Sequence, residues 1–97
     1  MSTGMGSSNS ARTPVMAVSV VSDNVGFWNS LKQAHGRLPR GARWTLAVAA
    51  ADGTRAVNVI EAESVDAVAA FLDEFAGPYA RTDYFEADAA NAVGLPK

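Results

Sequence analysis

The 97-residue chain is long enough for one domain with a modest core, and its 48% apolar content fits a globular protein and argues against wholesale disorder. It has no cysteine, which excludes disulfides, zinc–thiolate sites and thiol catalysis. The formal net charge of −2 is unevenly spread: Lys32, Arg37, Arg40 and Arg43 lie in the first half, while Glu61, Glu63, Asp66, Asp73, Glu74, Asp83, Glu86 and Asp88 crowd the second.

The early cations read as a solvated connection. No aromatic residues interleave with them as a single-stranded nucleic-acid platform requires, so no nucleic-acid partner is expected. No apolar run approaches the roughly 18–20 residues of a membrane span, and the opening MSTGMGSSNSARTP lacks the apolar stretch of a secretory signal. The expectation is a soluble, cytoplasmic protein without a membrane partner.

Residues 1–14 are rich in Ser, Gly, Thr and Asn without an apolar period and read as a flexible tail; residues 15–97 form the single domain. Val15–Ser22 is short and valine-rich, a strand signal. Asp23 or Asn24 can cap the helix that follows, whose apolar stripe is Phe27, Leu31 and Ala34, flanked by Trp28 and His35. Gly36 reads as a left-handed stop, and Pro39 prevents continuation. RWTLAVAA and RAVNVIEA flank Asp52-Gly53 and read as a hairpin. Ser64 caps a second helix with Val65, Val68, Leu72 and Phe75 on its stripe and Phe71 widening it; Gly77-Pro78 ends it, and RTDYFEAD is the last strand.

Strand, helix, strand, strand, helix, strand is the α+β, ferredoxin-like βαββαβ order: a four-stranded antiparallel sheet with both helices on one face. A two-residue turn at Asp52-Gly53 sets Val48 opposite Val57 and Leu46 opposite Val59, on the side expected to meet the helices. The other side carries Thr45 opposite Ile60, Ala47 opposite Asn58 and Ala49 opposite Ala56. A solvated sheet face normally carries charge. This small, neutral face is therefore expected to be covered by a second copy, making a homodimer, with the sheets either closely packed or enclosing a cavity.

FWNSLKQA in the first helix, ADGTRAVNVIEAESVDAV across the hairpin and second helix, and DYFEADAANAVGL at the end give the chain its likeness. Over roughly Met16 to Leu95 it resembles the dimeric α/β-barrel superfamily. Among its members are small antibiotic-biosynthesis-type monooxygenases, muconolactone-isomerase-like enzymes, haem-degrading proteins and small uncharacterised bacterial proteins. The resemblance implies a fold and a sheet-to-sheet dimer. It shares no catalytic motif, and the helix histidine of the haem-degrading members is not carried over to His35.

His35 is the sole histidine. It could serve as a general base or an axial ligand, but a helix-end residue that caps carbonyls and packs its ring is the preferred reading. No metal site and no cofactor are expected, because no other His or Cys could complete a ligand set and the acids lack calcium-loop spacing. Phosphate loops and nucleophile motifs are absent. Trp28 and Phe27 read as core, with a pocket lining as the alternative. If Phe85 joins the helix-side core, Tyr84 and Glu86 join Asn58, Thr45 and Ser19 on the partner side, either as ligand-orienting groups or as dimer hydrogen bonds. The candidate binding residues are therefore Ser19, Thr45, Asn58, Tyr84, Glu86, Trp28 and His35. The expected function is a non-catalytic homodimeric module with a small-molecule ligand. Alternatives are a cofactor-independent monooxygenase, isomerase or cyclase on an aromatic or polyketide-like substrate, and a structural or assembly subunit.

Overall fold

The computed structural model describes residues 12–91. The strands are β1 (Thr13–Val21), β2 (Arg43–Ala49), β3 (Arg55–Ala62) and β4 (Ala80–Glu86); the helices are α1 (Asn24–His35) and α2 (Val65–Ala76), and a single 3₁₀ turn covers Ala89–Asn91. The sheet order is β2-β3-β1-β4 with every neighbouring pair antiparallel. Hence β1 runs parallel to β2 with β3 between them, and β3 runs parallel to β4 with β1 between them. This is the ferredoxin-like fold. β1 begins at Thr13, two residues before the expected domain start, and Pro14 is tied in through its carbonyl, which accepts from the Ala87 N–H at 2.8 Å.

Local chemistry sets the helix starts. Asp23 Oδ1 accepts from the Gly26 N–H at 3.0 Å, and Ser64 Oγ accepts from the Ala67 N–H at 3.0 Å, each satisfying a first-turn donor. The end of α1 departs from expectation. Gly36 has φ −71°, so it is not a left-handed stop; the Arg37 N–H instead reaches back to the Ala34 carbonyl at 2.9 Å, tightening the last turn. The left-handed residue is Gly41 (φ +87°), inside the turn closed by the Ala42 N–H on the Pro39 carbonyl.

The hairpin turn differs from the expected two-residue turn at Asp52-Gly53: the Gly53 N–H on the Ala50 carbonyl puts Ala51 and Asp52 at the centre of the turn, with Gly53 left-handed after them at φ +76°, and the register beyond it is nevertheless the expected one. Leu46–Val59, Ala47–Asn58, Val48–Val57 and Ala49–Ala56 pair as read from the sequence. Farther from the turn the register slips. Trp44, not Thr45, opposes Ile60, because a bulge inserts one extra residue between Trp44 and Leu46. Strict alternation counted back from the turn cannot foresee that insertion, which carries Trp44 to the helix side.

The two faces of the sheet are the reverse of expectation. The helices cover the small-residue face: Val15, Ala17, Ala56 and Ile60 are buried in one cluster with Phe27, Leu31, Val68 and Leu72. Volume complementarity explains this. The bulk of the core comes from the helices, and small side chains at the sheet centre let the helices approach. Val15 and Ile60 apart, the branched residues of the sheet centre are left on the outer face. There Phe85, Met16, Val59 and Leu46 form one row across all four strands, and Asp83, Val18, Val57 and Val48 form the next. Leu46, Val48 and Phe85 are 43%, 51% and 50% exposed.

Candidate functional site

A groove of about 320 Å³ runs between α1 and the edge strand β2, lined by Trp28, Leu31, Lys32, His35, Trp44, Thr45, Leu46 and Ala47. Helical spacing places Trp28, Leu31, Lys32 and His35 on one flank of α1, since residues three and four apart share a face. The bulge supplies the facing wall by turning Trp44 toward the helix. The His35 and Trp44 ring centroids are 5.7 Å apart with planes tilted by 44°, and Trp28 packs edge-on against the buried Phe27 ring at 5.2 Å.

Trp44 is held from behind. Its indole N–H donates to Asn58 Oδ1 at 3.1 Å, and Asn58 is 1% exposed. An indole N–H can only donate, so the Asn58 oxygen must face it and the amide nitrogen must point elsewhere. That nitrogen meets no acceptor among the described residues. Thr45, the extra residue of the bulge, is pinned through its hydroxyl to the Val59 carbonyl at 3.2 Å. The groove carries Lys32 and His35, and no carboxylate lines it among the described residues.

Trp28, His35 and Thr45 of the sequence-derived candidates thus meet in one groove, with Asn58 behind its wall. The others lie apart from it. Ser19 is buried under the helices, where its hydroxyl shares a hydrogen bond with Thr82 at 2.8 Å. Tyr84 is also on the helix side, not on an outward-facing partner side: its hydroxyl donates to Asp73 on α2 at 2.6 Å. Burial, then the hydrogen bond that Asp73 accepts and the negative charge of its carboxylate, push the Tyr84 phenol well above its ordinary range, and the bond fastens β4 to α2. Glu86 is exposed opposite Val15. The expected constellation of Ser19, Thr45, Asn58, Tyr84 and Glu86 on a face awaiting a partner is therefore not formed, because that face is the helix-covered one.

Sequence reasoning missed Trp44 and Lys32 as groove residues. The signal for Lys32 was present: it lies four residues after Trp28 and three before His35. Trp44 had none, because its facing depends on the bulge.

A second hollow of about 390 Å³ lies at the far end of the helix layer, with Ile60, Val68 and Phe71 at its base and Arg12, Arg40 and Glu63 among its polar lining. No group of three or more His, Cys, Asp or Glu side chains able to hold a metal ion occurs among the described residues. Among the described residues no helix is long and apolar enough to cross a membrane. No protein-family model matches the chain, and no curated protein and no solved structure matches it.

Proposed function

We propose that the protein is a homodimeric, non-catalytic module that binds a small molecule, with the outer sheet face as the dimer contact. The observation that carries this reading is the apolar row Phe85–Met16–Val59–Leu46 spanning all four strands, continued by Val18, Val57 and Val48 in the next row, whose β4 member is Asp83, on the face that the two helices leave uncovered. A contiguous apolar sheet face of this kind marks an interaction surface. A second copy is the occupant that the charges favour. On β3 the outward residues are Arg55, Val57, Val59 and Glu61 in alternation. A two-fold axis across the strands at the level of Asn58 exchanges the two ends of that series. Each Glu61 then meets the partner's Arg55, and the apolar rows meet each other. Along β3 the face is self-complementary, as an isologous contact between aligned sheets requires.

Sedimentation equilibrium tests it. The chain should sediment as a dimer, and Val57→Glu, which would bury a charge without a partner, should sediment as a monomer with its circular dichroism retained. A monomeric parent at tens of micromolar would overturn the dimer. Larger assemblies would favour a structural subunit instead. The ring-lined groove at Trp28 and Trp44 lends some support to the enzyme alternative, a cofactor-independent monooxygenase, isomerase or cyclase. His35→Gln separates the two, because loss of a general acid–base group typically lowers turnover by about a hundredfold or more.

A further inference from the structure

The groove between α1 and β2 also has a chemical character of its own. Three flat rings, Trp28, His35 and Trp44, line a space of about 320 Å³, at the small end of the roughly 300–1,000 Å³ typical of ligand sites. Flat rings favour flat occupants, through stacked and edge-on contact that an aliphatic chain does not make as well. Lys32 contributes a positive charge and no acid among the described residues lines the groove to oppose it, although the chain as a whole is negative by two. The apolar lining with a cation at one point is self-consistent for a ligand having an apolar body and one anionic group.

Two further features mark the groove as built rather than incidental. The edge strand carries a bulge where Trp44 must turn inward, and such insertions commonly re-aim a side chain beside a functional site. A fully buried Asn58 then fixes the indole, although a buried amide that satisfies one end and leaves its nitrogen without an acceptor is unfavourable on its own. The larger hollow at Arg12 and Arg40 lacks these features. It mixes Glu63 with its arginines.

We infer that the α1–β2 groove binds a planar aromatic carboxylate of about bicyclic size, its ring system against Trp28 and Trp44 and its carboxylate toward Lys32. This names the ligand class for the binding-module reading and rests on that reading. Trp44 and Trp28 are the contact surfaces, Lys32 the charge partner and Asn58 a positioning residue acting through Trp44.

The test uses the full chain, calorimetry and ¹H–¹⁵N spectra, with 2-naphthoate as the probe and 2-naphthylmethylamine and decanoate as the contrasts. Saturable 2-naphthoate binding that shifts the indole N–H signals of Trp28 and Trp44, at least tenfold tighter than either contrast, is the expected result. Lys32→Glu should weaken it by tenfold or more while the indole signals of the free protein stay in place. Trp44→Leu should abolish it with the helical circular dichroism retained. Absence of binding, equal binding of the amine or of decanoate, or shifts confined to residues around Phe71 would overturn the inference. Sedimentation of the same samples keeps the two readings apart. A monomer that binds 2-naphthoate contradicts only the dimer, and a dimer that ignores it contradicts only the ligand class.

Discussion

The Trp44 indole N–H and the Asn58 amide oxygen meet at 3.1 Å across neighbouring strands, and the bond joins an edge residue to the centre of the core. Asn58 has Ala17 on one side and Ala47 on the other, so no larger neighbour crowds the amide. Replacing Asn58 by Ala leaves the indole donor without its partner and should lower stability by about 1–3 kcal/mol. Trp44→Phe strands the amide oxygen instead. Asn58→Ala combined with Trp44→Phe removes both partners and should lose less than the two single changes summed, with a coupling of about 0.5–3 kcal/mol in urea unfolding. Strict additivity would show that the bond contributes nothing of its own.

Gly26 is where the Tyr79 ring lies against the first turn of α1. A Cβ at Gly26 would come within 2.6 Å of Tyr79 Cδ1 and 2.7 Å of Cε1. The Tyr79 backbone cannot retreat with the ring, because its carbonyl accepts from the Ser22 N–H, the Asp23 N–H and the Ser22 hydroxyl. In an open helix Gly→Ala is stabilising by about 1 kcal/mol. Here the overlap should reverse the sign, and Gly26→Ala should lower the urea midpoint by an amount equivalent to roughly 1–3 kcal/mol. Adding Tyr79→Ala should restore the usual benefit of alanine at position 26. A Gly26→Ala variant as stable as the parent would show that the ring moves freely.

These two contacts mark how far the sequence could be read. Element order, both caps, and the hairpin register from Leu46 to Ala49 follow from local chemistry: an Asp or Ser before an apolar stripe, and Asp-Gly between branched runs. Which face of the sheet turns inward did not follow. Alternation gives two faces but not their assignment, and ranking Val and Leu as the inner set failed because Phe27, Leu31, Val68 and Leu72 fill the core from above. The groove was legible only as Trp28 and His35 on one helix flank. Its opposite wall depends on one inserted residue at Thr45, which has no marker in the sequence.

Tyr84 gives the fold an alkaline limit. Its phenol pKa is raised in the folded chain, first by burial and then by the hydrogen bond to Asp73. An unfolded tyrosine ionises near pH 10. The stabilisation is therefore fully present below about pH 10 and is lost as pH rises beyond it, because the unfolded chain releases a proton that the native chain retains. The melting temperature should fall as pH rises above about 10, and Tyr84→Phe should flatten that fall. An equal slope in both proteins would mean that Tyr84 titrates alike folded and unfolded.

The homodimer is tested most directly by exchanging charges on β3. Glu61 and Arg55 straddle Val57 and Val59 on the outer face, and the proposed two-fold axis sets each against the other in the partner. Glu61→Arg alone and Arg55→Glu alone each place like charges in opposition, and each should raise the dimer dissociation constant in sedimentation equilibrium. The double exchange should return it to within a few-fold of the parent. Failure of the double exchange to recover what the single changes lose would contradict this register, and a parent that is monomeric throughout would contradict the dimer itself.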